Sequence, residues 1–173
     1  MDNNQSSTHY NRNPLVMTIC PLELHHTEEI CSWSYQDRYA IYNWPSWAQM
    51  QKDGIEFGDS VLRAAQYAAV IDDQHRLIGY AQFFPITGVT RLGLGLRPDL
   101  CGRGLGPTFI RLIAAEALRR KPENEIDLEV LAWNVRAVRA YEHAGFKITD
   151  TYTRSTPQGD YECYCMVYES GGN

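Results

Sequence analysis

A chain of 173 residues is long enough to bury a core without disulfides or metal, and its 44% hydrophobic and 21% charged residues are ordinary for a globular protein. Its net charge of −5 and pI near 5.5 argue against a nucleic-acid binder, which needs a basic face to neutralise phosphates. Cys20, Cys31, Cys101, Cys163 and Cys165 are odd in number and widely spread, with no C-x-x-C pair and no Cys/His cluster at zinc spacing, which argues against a disulfide framework or metal site and fits reduced, cytoplasmic thiols. Cys163 and Cys165, two apart, fall on one face of a strand as small packing residues.

Residues 1–14 are polar and rich in Asn and Ser, with no apolar run of signal-peptide type, and read as a flexible arm ahead of one domain spanning 15–173. No later apolar run reaches membrane-spanning length. Leu15–Cys20 predicts a strand closed by Pro21, and Thr27 is placed to cap a helix running to about Trp33. Residues 33–47 then hold six aromatics, Trp33, Tyr35, Tyr39, Tyr42, Trp44 and Trp47, against two formal charges, Asp37 and Arg38. That is too apolar for a freely solvated loop. The tryptophans suit packing, whereas the phenols tolerate a wet edge and suit a cavity. Ser46 caps a short helix to about Lys52, and Gly54 and Gly58 break regular structure beyond it.

Tyr67–Ile71 and Arg76–Phe84 predict a hairpin turned at Asp72–His75, and Val89–Leu96 adds a third strand. Gly93 and Gly95 inside that strand suggest a bulge or a close backbone approach. Ile110, Ile113, Ala114, Ala117 and Leu118 form a helical stripe within 105–120, with Glu116 and Arg120 pairing on the wet side. Ile126–Ala132 is a strand, Asn134–Ala144 a helix closed by Gly145, and Phe146–Arg154 with Tyr161–Glu169 a hairpin around residues 156–159. The order β-α-α-β-β-β-α-β-α-β-β predicts an α/β (mixed α+β) fold, a mostly antiparallel mixed sheet of about seven strands flanked by about four helices.

Chemistry concentrates in two stretches. In Leu94-Gly95-Leu96-Arg97-Pro98-Asp99-Leu100-Cys101-Gly102-Arg103-Gly104-Leu105-Gly106-Pro107 a strand runs through a glycine-rich turn into a helix. Glycines admit close backbone approach, and a helix N-terminus presents unpaired N–H groups, so the stretch suits a pyrophosphate. Pro107 stands where a dinucleotide fingerprint needs glycine, and no Walker lysine is present. The second stretch joins Leu128 and Val130 of a strand to Asn134, Ala137, Tyr141, Gly145 and Phe146.

Together the two motifs resemble the GNAT superfamily of N-acetyltransferases, over nearly the whole of residues 15–169. The resemblance implies a sheet splayed between its fourth and fifth strands and acetyl-CoA as co-substrate, without metal. It implies an acetyl group moved to a primary amine, a small molecule or a peptide N-terminus, with no nucleic acid or membrane involved and a homodimer possible. It further implies that Cys101, Gly102, Arg103, Gly104, Leu105, Gly106 and Pro107 hold the pyrophosphate and that Leu94, Gly95 and Leu96 pair with the pantetheine arm. Asn134, Ala137 and Tyr141 complete the cofactor site, with Tyr141 as general acid. Cys101 departs from the family's Arg or Gln, and a thiol near a helix N-terminus is either an inert packing group or a reactive one. The family's usual strand carboxylate is missing from Arg91–Leu96, which leaves Glu129, or a water chain, as base, with a salt-bridged structural role an equal alternative for Glu129. Tyr35, Tyr39 and Tyr42 fall where the family places its acceptor. Two rivals stand beside this reading: a catalytically weak acyl-CoA sensor of the same fold, and a nucleotide-binding α/β domain.

Overall fold

Alternating apolar residues draw the strands into a single sheet. The computed structural model describes residues 15–156 and 159–169; the expected N-terminal arm and Pro157–Gln158 of the last turn lie outside the described residues. Strands β1 (Met17–Pro21), β2 (Tyr67–Asp72), β3 (Leu77–Ile86), β4 (Val89–Leu96), β5 (Glu125–Leu131), β6 (Phe146–Thr156) and β7 (Gly159–Tyr168) form a seven-stranded sheet in the order β1-β2-β3-β4-β5-β7-β6. Neighbours pair antiparallel except β4 and β5, which run parallel because a helical crossover links them.

Five α-helices cover the two faces among the described residues: α1 (Leu24–Ser32), α2 (Trp47–Asp53), α3 (Ser60–Gln66), α4 (Gly106–Arg120) and α5 (Val135–Ala144). On one face α4 buries Phe109, Ile110, Ile113, Ala114 and Ala117 against Val70, Ile78, Leu92, Ile126 and Leu128. A β-carbon at Gly79 would stand 2.5 Å from the Phe109 ring, so α4 lies directly on β3. Its N-terminus meets α5 just as closely: a β-carbon at Gly106 would be 3.1 Å from that of Ala140. On the other face Ile30, Met50 and Phe57 cover Tyr67, Ala69 and Leu77, and Trp33, Trp44 and Trp47 pack around them.

Several local expectations need correction. Thr27 does not cap α1: the helix begins at Leu24 behind Glu23, whose N–H bonds His26 Nδ1 at 3.2 Å, and buried Thr27 donates to the Leu24 carbonyl at 2.6 Å. Helix α3 is an addition to the expected elements; Asp59 caps it by accepting from the N–H groups of Val61 and Leu62. The β3–β4 register runs unbroken, so Gly93 and Gly95 mark no bulge. A β-carbon at Gly95 would stand 2.4 Å from the Tyr80 ring, and one at Gly93 3.2 Å from the Gln82 side chain, so the glycines make room for cross-strand neighbours. Glu116 is largely covered, not on a wet side, and pairs with both Arg119 and Arg120.

Candidate active site

Two parallel strands separate partway along their length. β4 and β5 pair from Val89↔Glu125 to Leu92↔Leu128 and no further, so Gly93–Leu96 and Glu129–Leu131 diverge. The N–H of Arg97 bonds the Ile78 carbonyl of β3 at 2.7 Å. Alternation along the strand then turns the peptide groups of Leu94 and Leu96 towards the gap. Leu96 already uses its carbonyl there: the Tyr35 hydroxyl donates to it at 2.8 Å.

The glycine loop follows β4 after a short 3₁₀ turn at Pro98–Leu100. Gly102 and Gly104 have φ of 75° and 78°, a conformation that disfavours side chains, and nothing lies within 4 Å of where their β-carbons would be. Among the described residues no acceptor meets the N–H groups of Gly102, Arg103, Gly104, Leu105, Gly106 or Thr108. Unpaired donors at the head of a 15-residue helix, with open space before them, fit a pyrophosphate. Pro107 lies in the first turn, where a missing N–H costs nothing. Cys101 is half-buried with its sulfur 3.6 Å from the Leu96 carbonyl oxygen, and burial pushes its thiol above the usual range. The thiol therefore stays protonated near neutrality, against the reactive alternative.

The second motif flanks the gap from α5. Asn134 caps this helix, its Oδ1 accepting from the Ala137 N–H at 3.2 Å, and its Nδ2 donates to the Tyr42 hydroxyl at 3.1 Å. Tyr141 stands edge-on to Phe146, ring centroids 6.0 Å apart. Burial, with Tyr42 and Tyr80 nearby, pushes its pKa up. Among the described residues its hydroxyl has no hydrogen-bond partner; the ring is partly buried, and because no buried polar atom among them lacks a partner, the hydroxyl itself reaches solvent.

Glu129 occupies the first position of β5 beyond the paired segment. Both of its oxygens are taken: Arg91 donates to one at 2.6 Å and Arg154 to the other. Arg91 also forms a two-pronged pair with Asp127, at 3.0 and 2.6 Å.

The three tyrosines expected at an acceptor site sit along one edge of the gap, on and before a 3₁₀ turn at Asp37–Tyr42. Tyr35 bonds β4, Tyr42 bonds Asn134, and Tyr39 stacks edge-on against Trp133 with ring centroids 5.4 Å apart. Beside them lies an open cavity of about 570 Å³ lined by Arg38, Ile41, Trp133 and Tyr161. None of these four stands out in the sequence as a site residue. Trp133 offers a signal, an aromatic placed between the end of a strand and the motif's Asn134. A larger hollow of about 640 Å³, between β1, α3 and the end of α4, lies away from the gap.

A parallel pair opened at one end, a glycine loop at the head of a helix and an unpartnered phenol thus lie in one region of the fold. The family model described as the acetyltransferase (GNAT) family matches residues 25–146, and the chain belongs to that family. It is accordingly an acetyltransferase. Among solved structures, AAC(6')-Ib in complex with ribostamycin and coenzyme A is similar at 25% identity and a TM-score of 0.65, over 89% of this chain and 93% of that one. Spermidine N-acetyltransferase from Vibrio cholerae, in complex with CoA and spermine, aligns at 17% identity and a TM-score of 0.66, over 87% and 95%. The ribosomal-protein-S18-alanine N-acetyltransferase from Escherichia coli aligns at 19% identity and 0.60, over 91% and 98%. The last two likenesses bear on the fold alone. No helix among the described residues is long and apolar enough to cross a membrane, and no group of metal-ligating side chains occurs among them.

Proposed function

We propose that the chain moves an acetyl group from acetyl-CoA to a primary amine by direct attack, with Tyr141 as general acid. The observation that carries this reading is the Tyr141 hydroxyl, held on a partly buried ring, reaching solvent and committed to no hydrogen-bond partner among the described residues. As co-substrate, acetyl-CoA would bring a thioester whose C–S bond breaks as the acceptor's C–N bond forms. Gly102–Pro107 and the head of α4, with Arg103 and Cys101 beside them, would hold the pyrophosphate. Leu94, Gly95 and Leu96 would align the pantetheine arm, and Asn134 and Ala137 its other edge. A free N–H on β4 would polarise the thioester carbonyl.

Tyr141 keeps its proton at neutral pH and gives it to the departing thiolate, the one strong base to arrive beside it. The acceptor's surplus proton leaves through water at the mouth of the gap, where the Glu129 carboxylate stands. Tyr35, Tyr39 and Tyr42 border the acceptor. The similar proteins named above, which act on a polyamine, an aminoglycoside or a protein alanine, support an amine acceptor.

A second reading, an acyl-CoA-binding sensor, is favoured by Glu129, whose oxygens are both ion-paired and so leave no free carboxylate base. Thiol release from acetyl-CoA across a broad panel of amines separates the two. The enzyme releases CoA in proportion to amine, and the sensor does not. In both cases acetyl-CoA at about 100 times its dissociation constant adds roughly 2.7 kcal/mol to stability. A stability gain with ATP or NAD but none with acetyl-CoA would overturn both readings.

A further inference from the structure

The acceptor-side cavity carries a positive charge of its own, and its aromatic faces are already occupied. The Arg38 guanidinium lies over the Trp133 ring, 4.7 Å from its centroid, and 5.7 Å from that of Tyr39. Arg136, from the first turn of α5, lies over the Tyr39 ring at 4.4 Å. Those faces are where an aromatic cage would hold a substrate's ammonium group. Here the chain's own arginines take that place.

The surrounding carboxylates do not reverse the sign. Among the described residues neither Arg38 nor Arg136 makes an ion pair, with Asp37 beside it in sequence or with Asp160 and Glu162 on the β7 wall. The acids nearer the gap are spent: Asp127 is paired with Arg91, and Glu129 with Arg91 and Arg154. Of the four lining residues, Ile41, Trp133 and Tyr161 offer apolar surface, Arg38 offers a cation, and none offers an anion. Of these lining residues, the only charge a polyamine or aminoglycoside would meet is the like charge of Arg38. A carboxylate would meet an exposed, unpaired guanidinium able to bind it through two parallel hydrogen bonds.

Resting on the acetyltransfer reading above, we infer that the acceptor is an amine with an apolar body and a carboxylate, as in an aromatic or aliphatic α-amino acid. Ile41, Trp133 and Tyr161 hold the body, and Arg38 holds the carboxylate and so sets specificity.

The test uses the full chain with acetyl-CoA and two matched sets of acceptors, L-phenylalanine, L-tryptophan, L-leucine and L-methionine against their carboxamides, with spermine as the polycation. At least one acid should exceed its amide in kcat/KM by about tenfold or more, with spermine below both. Arg38→Gln should lower kcat/KM for that acid about tenfold and leave its amide within about twofold. Arg38→Lys, which keeps the charge and loses the fork, should fall between. Equal use of acids and amides, preference for spermine, or no turnover of any acid overturns the inference. The thermal shift with acetyl-CoA is recorded on the same samples: its absence would instead strike the acetyltransfer reading itself.

Discussion

At the Val89–Leu92 end of the β4–β5 seam the two strands are sealed; at the Gly93–Leu96 end the same strands stand apart. The sealed end has core on one face, with Leu92, Ile126 and Leu128 under α4, and on the other the Arg91–Asp127 clasp between directly paired residues. The open end has peptide groups without a strand partner, a phenol without an acceptor and two tyrosine hydroxyls bridging onto its rims. Under the proposed function, pairing is withheld where the co-substrate would supply it. Unmade backbone hydrogen bonds are tolerable only near water or a partner, so the stability they would have contributed has to come from the closed end.

Substitutions at the open end should therefore change activity, and those at the closed end should change stability. The largest effect is expected from Tyr141→Phe, which removes a hydroxyl without a protein partner. Turnover should fall about 10²- to 10⁴-fold, with acetyl-CoA affinity and thermal stability near wild type. Unchanged turnover would make Tyr141 a packing residue of the Phe146 cluster. At the closed end Leu128→Ala empties a fully buried site and should cost about 2–5 kcal/mol in urea unfolding, while the folded fraction keeps its turnover. Loss of turnover in fully folded Leu128→Ala protein would erase the division between the ends.

A smaller effect belongs to Tyr35→Phe, which releases the Leu96 carbonyl. Stability should drop by about 1 kcal/mol, and acetyl-CoA should bind up to roughly fivefold tighter because the carbonyl is free for it. Weaker binding measured by calorimetry would mean that Tyr35 supports the open rim and does not compete for it. Smallest of all, Cys101→Ala should leave acetyl-CoA affinity within about twofold. Because burial raises the thiol's pKa, Cys101 should show no selective labelling by iodoacetamide at neutral pH.

Much of the scaffold is legible in the sequence because it rests on local signals. Apolar alternation marks β4 to its terminal residues, and α5 is bounded by Asn134 and Gly145, which do cap it, Gly145 with a φ of 107°. Short helix α3 escapes because it buries no residue of its own and so carries no periodic stripe. What the sequence hides at the site is non-local. The strand glycines answer to Tyr80 and Gln82, side chains on the neighbouring strand. Glu129 meets Arg91 and Arg154 at separations of 38 and 25 residues, so an ion-paired role could be expected of it but its partners could not be read along the chain. Arg38 reads as one of two charges in an aromatic stretch, and only the fold lays it over Trp133.

Because Gly106 packs so closely on Ala140, variation at either position is constrained by the other. Position 106 opens α4 directly behind the Gly102–Gly104 turn, and position 140 adjoins Tyr141. Bulk at either point pushes the two helices apart and moves the phosphate loop and the phenol together, so one substitution spoils both parts of the site. Selection therefore acts on the combined volume of the two side chains rather than on either alone. A library randomised at both positions should return functional variants along a diagonal: alanine at 106 where glycine stands at 140, glycine at 106 where alanine stands at 140, and few with two larger residues.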